Sequence, residues 1–310
     1  MPVLRLQLLG RFCASYGCRE IYNFEASKVQ ELLCYLALYR KPHTRETLAA
    51  LFWGDSSASQ AKKNLRQTLW QLQAALDANL GPFKRRVVLV EADWVQLNPA
   101  LAVRLDVAEF EKACTSENEM SPRELDLATA QNLQKAVQLY QADLLEGCYQ
   151  DWCLFERERL QSIYLATLDR LIRYCEETGN YRHGLAYATE VLRYDPARER
   201  THRQLMRLYH IAGDRTAALR QYQRCVSALK TELDVPPSTR TVKLRDKIDA
   251  EELEPSNSFP AGNNPGSENS SNLLPEVLRH LKEVRTTLSD IQQQVQQDIR
   301  TVELALIGRR

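Results

Sequence analysis

Residues 171–222 match themselves at a shift of 34 positions, and this repeat constrains the fold more tightly than any other feature of the chain. The shift sets Leu171 on Leu205, Cys175 on Tyr209, Gly179 on Gly213, Gly184 on Ala218, Leu185 on Leu219 and Ala188 on Tyr222. That is the tetratricopeptide period. Each unit reads as a helix pair, with Gly179-Asn180 and Gly213-Asp214 as inter-helix turns and Asp195-Pro196 between the repeats. One such pair cannot bury its apolar face alone, so neighbours must stack. A further pair over residues 125–140 and 152–177 brings the stack to three, a minimal solenoid. Its concave groove is a protein or ligand surface, or the helices are only a spacer; the architecture itself names no ligand.

A different pattern fills the first hundred residues. In Ala58 to Leu76, ASQAKKNLRQTLWQLQAAL, the residues Ala61, Leu65, Leu69, Leu72 and Leu76 fall on one side at the helical period. The other side carries Lys63, Arg66, Gln67, Trp70 and Gln71, flanked by Lys62, Asn64 and Gln73, with no carboxylate. Such a face can hold phosphates through its charges and base edges through its amides. A solvated surface helix shows the same pattern, so the surroundings must decide.

Upstream, Val29, Leu32, Leu33, Tyr35, Leu36 and Leu38 predict a helix from Ser27, a candidate cap, to Tyr39. A shorter helix starts at the capping-box-like Thr44-Arg-Glu-Thr and ends at Gly54-Asp55. A polar turn then leads into the basic helix, giving the order helix, helix, turn, helix. After Gly81-Pro82, Val87 to Val90 and Trp94 to Leu97 predict two strands around Glu91, Ala92 and Asp93, opened by the basic cluster Lys84, Arg85 and Arg86. Val3 to Leu9 alternates, and Phe12 to Tyr22 reads as irregular strands. The fold class expected is mainly α with an α+β N-terminal domain: a winged helix-turn-helix, then a tetratricopeptide-like α-solenoid and a C-terminal coiled-coil helix.

With these motifs in place the chain resembles a known family. LRLQLLGRF, SKVQELLCYLAL, ETLAALFWGD, NLRQTLWQLQAAL and LDVAEFEKA resemble the OmpR-type winged helix of the Streptomyces antibiotic regulatory protein (SARP) family. LYQADLLEGCYQDWCLFERERL, YDPARERTHRQLMRLYHIAGDRTAALRQY and TELDVPPSTRTVKL resemble the bacterial transcriptional activator domain that accompanies it. The resemblance covers residues 3 to 250 in family order. Asp234 stands where the family has Gly in its Leu-Gly-Val turn, and Gln71 and Gln73 stand where related winged helices often carry Arg. The resemblance implies a transcriptional activator that docks RNA polymerase beside a promoter. The domains expected are 1–105, winged helix; 106–253, transcriptional activator domain; 254–272, flexible linker; and 273–310, oligomerisation helix.

Charge is divided in the same way. Residues 1–100 hold 13 Lys and Arg against 8 Asp and Glu, and the rest of the chain 28 against 32, although the net charge is only +1. Phosphate affinity is therefore expected at the N-terminal end. The DNA-binding residues expected are Lys62, Lys63, Asn64, Arg66, Gln67, Trp70 and Gln71 on the helix, with Arg85 and Arg86 on the wing. Trp70 either touches a thymine methyl or packs against the wing.

Residues 254–272, EPSNSFPAGNNPGSENSSN, form a 19-residue Pro, Gly, Ser and Asn-rich linker with a reach on the order of 25 Å. Beyond it Leu274, Leu281, Leu288, Val295 and Val302 hold one heptad position, and Val277, Val284, Ile291, Asp298 and Ala305 the other. A lone amphipathic helix of this kind is marginal in water, so it needs a partner. The pairing of Leu with Val or Ile leans toward more than two strands, and a homo-oligomer, tetramer or dimer, is expected.

Other classes find little support. The chain has no apolar run near the roughly 20 residues of a membrane span and no signal-peptide pattern, so a cytoplasmic protein with no membrane contact is expected. Its eight cysteines are then expected to be reduced; Cys13 with Cys18 and Cys148 with Cys153 form pairs, but no companion His or Cys completes a zinc site. No G-x-x-x-x-G-K-[ST], H-E-x-x-H or G-x-S-x-G occurs, so no enzyme, metal or cofactor is expected. His43, His183, His202, His210 and His280 are scattered, with His202 and His210 read as surface residues two turns apart. The function expected is sequence-specific binding of double-stranded promoter DNA with recruitment of RNA polymerase. The rival is a tetratricopeptide and coiled-coil scaffold whose winged helix binds protein.

Overall fold

The computed structural model describes residues 3–17, 19–21, 24, 26–80, 86–115 and 125–251. Lys84, Arg85, the linker at 254–272 and the heptads at 273–310 lie outside the described residues. Met1–Asn257 is one compact unit.

The chain opens with β1 (Leu4–Gln7), β2 (Cys13–Tyr16) and β3 (Arg19–Glu20). In β1, Leu4 and Leu6 are buried while Arg5 and Gln7 face out, the period-2 alternation of a half-buried strand. Then α1 (Ser27–Leu38) buries Val29, Leu32, Leu33 and Leu36 at helical spacing. Ala26, not Ser27, caps this helix: the Ala26 carbonyl already accepts from Val29 and Gln30, so Ser27 lies inside the first turn. A two-residue β4 (His43–Thr44) runs into α2 (Arg45–Phe52), where the Thr44 hydroxyl accepts the Thr47 N–H at 3.1 Å. The turn after Phe52 ends at Ser57, whose hydroxyl accepts the Gln60 N–H at 3.4 Å. There α3 (Ala58–Leu80) begins, and it runs past the predicted end at Leu76.

The hairpin β5 (Val88–Val90) and β6 (Trp94–Leu97) follows, and then β7 (Val103–Leu105). Two sheets result. The first has the order β3-β2-β1-β7, with β1 antiparallel to β2 and parallel to β7; the second has the order β4-β6-β5. Neither β4 nor β7 was expected from the sequence, because two- and three-residue strands carry no periodic signal of their own.

The helices after β7 are α4 (Asp106–Thr115), α5 (Leu127–Leu139), α6 (Asp151–Glu177), α7 (Tyr181–Tyr194), α8 (Glu199–Ile211), α9 (Arg215–Leu233) and α10 (Thr239–Asp249). The three expected helix pairs are made by five helices, because the long α6 packs on both α5 and α7, and α8 pairs with α9. Gly179 and Gly213 turn at φ +73° and +84°, where only glycine is unstrained. Gly184 serves contact instead of φ: a Cβ there would lie 3.1 Å from Cys175 Cβ and 3.2 Å from a Leu208 methyl, so α7 can approach α6 and α8 closely. A row of rings, Phe110, Tyr140, Tyr164 and Tyr194, joins α4 to α7, with Tyr140 and Tyr164 stacked at 4.2 Å. Asp234, in the family's glycine position, adopts φ 55° and ψ 37°, and its carboxylate bonds Lys230 Nζ. Asp is among the few residues that enter the left-handed region at modest cost.

His202 corrects the surface reading. It is buried between Pro196, whose carbonyl lies 2.9 Å from Nε2, and Gln221, whose amide lies 2.8 Å from Nδ1. A neutral ring protonated on Nε2 satisfies both partners, and burial pushes its pKa down.

One hydrophobic core continues from β1 through α8. The Asp106 carboxylate accepts from the backbone N–H groups of Leu8 and Leu9 at 2.8 and 2.9 Å. Leu145 N–H donates to Leu8 carbonyl at 2.8 Å, and Gly10 N–H to Asp143 carbonyl at 3.0 Å. Trp152 of α6 sets its ring against Tyr35 and Phe52 at 5.2 and 6.2 Å, and the Tyr39 hydroxyl donates to Glu156 at 2.6 Å. The N-terminal end of α6 therefore supports α1 and α2 directly.

Candidate nucleic-acid interface

Helix α3 is held by one face only. Ala61, Leu65, Leu69, Leu72 and Leu76 are all buried, and each fully buried leucine stabilises by roughly 1.5–3 kcal/mol. The other face stays open. Lys62, Lys63, Arg66 and Gln67 are exposed, and Trp70 keeps 68% of its surface. Most of the indole is thus available to a partner. Lys63, Arg66, Gln67 and Trp70 follow the spacing i, i+3, i+4, i+7, which lays them along one ridge. Among the described residues no hydrogen bond or ion pair engages Lys63, Arg66 or Gln67.

Two of the expected residues are already engaged within the helices, and a third has less room. Asn64 is half-buried and accepts from Gln60 Nε2 at 2.8 Å. Lys62 Nζ meets Glu46 of α2 at 2.8 Å; both side chains are exposed, and the pair lowers the Glu46 pKa. A surface pair of this kind is worth little in water and yields readily to a polyanion. Gln71 is half-buried, at the edge of the ridge.

The hairpin beside α3 is fixed by the start of α2. Thr44 pairs with Trp94 and His43 with Val95, while Arg45 N–H donates to Asp93 carbonyl at 3.0 Å and Arg45 Nη1 to Glu91 carbonyl at 3.2 Å. An open cleft of about 680 Å³ lies between these parts, lined by Thr44, Arg45, Glu46, Lys62, Leu65, Arg66, Ala92 and Asp93. Its cations are Arg45, Lys62 and Arg66, set against two carboxylates. Arg45 is absent from the sequence-derived set because only the pairing of β4 with β6 brings it beside the hairpin tip.

Arg86 is exposed but stands at the base of the hairpin, before β5, where the Asn98 side-chain amide donates to its carbonyl at 2.7 Å. The tip is Glu91, Ala92 and Asp93. The structure therefore separates Arg86 from the tip by the length of β5, and Arg85 lies outside the described residues. No group of three or more His, Cys, Asp or Glu side chains suited to a metal occurs among the described residues, and no described helix is long and apolar enough to cross a membrane.

Comparison with known proteins agrees with this architecture. Residues 105–249 match the model of the bacterial transcriptional activator domain. No curated protein is similar enough to count as a relative. Among solved structures, Mycobacterium tuberculosis EmbR in complex with a low affinity phosphopeptide is similar at a TM-score of 0.60 and 17% identity. The match covers 81% of this chain and 66% of that one, so this chain spans a little under two thirds of its length. At that identity the likeness concerns the fold. Residues 105–249 thus carry the pattern of a bacterial transcriptional activator domain, and they follow an N-terminal winged-helix fold.

Proposed function

We propose that the chain binds promoter DNA in a sequence-specific manner through the open face of α3, and that it activates transcription by holding RNA polymerase at the bound site. The observation that carries the reading is the contrast across α3: one face is locked into the core, while Lys63, Arg66, Gln67 and Trp70 on the other have no partner among the described residues. A rigid helix with unspent donors and no carboxylate on that face suits the major groove, where Gln reads adenine and Arg reads guanine or phosphate. Arg45 and Lys62 would hold phosphate at the α2 side of the cleft. Arg86, with Arg85 before it, would meet the backbone or minor groove from the base of the hairpin. Gln71 would reach a base at the ridge edge, and Asn64 would act after exchanging its bond to Gln60.

The activator domain and its solenoid fit recruitment, and no catalytic step, metal or cofactor belongs to this reading. The heptads from Leu274, Val277, Leu281, Val284, Leu288, Ile291 and Val295 add a homo-oligomer in the cytoplasm, in which tethered winged helices engage repeated half-sites.

The test is promoter binding of the full chain as a function of salt. The combined substitutions Lys63→Ala, Arg66→Ala and Gln67→Ala should cut affinity by roughly a hundredfold or more and flatten the salt slope by about two units, one per lost cation. Wild-type affinity after all three would sink the reading in favour of a protein-binding winged helix. In a purified transcription assay, a bound promoter should yield more transcript; less transcript would mark a repressor.

A further inference from the structure

The seam between the winged helix and the helical domain contains chemistry that DNA binding does not use. Cys148 lies in the turn before α6 and Cys153 in its first turn; both thiols are buried and free. Cys153 Sγ donates to the Leu144 carbonyl at 3.7 Å, and its side chain lies close enough to that of Cys148 for the two thiols to influence each other. Cys148 is not sealed off. It forms part of the wall of an open cleft of about 320 Å³ between Arg11, Phe12, Ser27, Gln30 and Glu31 on one side and the 145–148 turn on the other. A molecule the size of water or peroxide can enter such a space.

We propose that Cys148 and Cys153 are an oxidisable dithiol, with Cys148 the thiol that meets a peroxide entering this cleft and Cys153 the one that resolves it. In the first step Cys148 sulfur attacks one peroxide oxygen: an S–O bond forms, the O–O bond breaks, and the leaving hydroxide takes the Cys148 proton as water. In the second, Cys153 sulfur displaces the sulfenic oxygen, which leaves as water with the Cys153 proton. Two thiols and one hydrogen peroxide give one disulfide and two waters.

The roles follow from the surroundings. A hydrogen bond that Cys153 can offer the Cys148 thiolate lowers the Cys148 pKa, with the Gln150 backbone N–H and the Lys28 ammonium acting in the same direction against burial and the Glu31 carboxylate. The same bond, together with burial, pushes Cys153 up, which suits a thiol that waits until a sulfenic acid is beside it. Cys34 of α1 is also near, but its fully buried thiol is pushed well up by burial. The consequence of closure is local. The bond would tie the turn that leads to Trp152, a turn already held by Arg157, which donates to the carbonyls of Leu144, Leu145 and Cys148 at 2.9 to 3.2 Å.

The test is peptide mapping of the full chain after brief exposure to hydrogen peroxide, with the half-exposed Cys13 as the internal reference thiol. The expected result is a Cys148–Cys153 disulfide, reversed by dithiothreitol and formed about tenfold faster than oxidation of Cys13. In Cys153→Ser, dimedone should trap a sulfenic acid at Cys148; in Cys148→Ser, Cys153 should resist it. A disulfide to Cys34, dimedone labelling of Cys153 ahead of Cys148, or oxidation of Cys13 alone would overturn the proposal. The mapping on wild-type protein stands even if a serine variant fails to fold.

Discussion

The cations on the open face of α3 and those between the helices of the helical domain are used in opposite ways. In the helical domain Arg198 meets Asp169 at 2.7 Å, Arg207 meets Glu176 at 3.2 Å, Arg215 meets Asp249 at 2.7 Å, and Arg159 bridges Glu111 and Glu156. Each of those guanidinium groups joins one helix to another, Arg159 through Glu111 of α4. On α3, Lys63 and Arg66 join nothing among the described residues, and Lys62 holds only an exposed glutamate. The chain's total charge hides this, because charge that is internally paired and charge that is free count alike. What distinguishes a binding face from a structural one is whether its donors already have acceptors.

The comparison breaks most visibly at Arg198. Its partner Asp169 is nearly buried, so Arg198→Ala leaves a carboxylate without its counter-charge and should cost about 3 kcal/mol in urea unfolding. Lys63→Ala should change stability by less than about 0.5 kcal/mol. Equal costs would mean that the two regions use their cations alike.

A second, smaller effect concerns pH. The His202 pKa is lowered in the folded chain from its ordinary value of 6.5, mainly by burial, so below that pH the unfolded chain binds the extra proton more readily. Stability should therefore fall as pH drops through 6.5 and on toward the folded pKa, and it should be fully present above 6.5. His202→Gln should flatten that part of the curve. An unchanged slope in the variant would assign the pH dependence to other groups.

The smallest effect is expected at Glu46. Glu46→Gln removes the carboxylate that holds Lys62 across the cleft, and promoter affinity at low salt should rise by up to about threefold, with the gain fading near physiological ionic strength. Weaker binding would show that Glu46 positions Lys62 for DNA instead of competing for it.

Much of this was legible in the sequence wherever a period was present. The stripe of α3, the glycine turns at Gly179 and Gly213 and the hairpin from Val88 to Leu97 follow from spacing and turn chemistry alone. Arg45, Asp106 and His202 were not legible, and for a common reason: each acts through a partner distant in sequence. Arg45 reaches the Glu91 and Asp93 carbonyls, Asp106 the amides of Leu8 and Leu9, and His202 the side chain of Gln221. Nothing in the residues next to them records those contacts. The pairing of Cys148 with Cys153 was half legible, since their spacing is visible but the cleft wall from α1 is not.

The parallel pairing of β1 with β7 also sets an order of events in time. Leu4 pairs with Val103 and Leu6 with Leu105, about a hundred residues later, and Leu8 receives the Leu145 N–H later still. During synthesis at about 5–20 residues per second, the first strand must therefore wait roughly 5–20 s for the strand that covers its edge. Until then that edge offers unpaired backbone groups to any neighbouring chain. The winged-helix half of this protein is thus made first but finished only with the half that follows it.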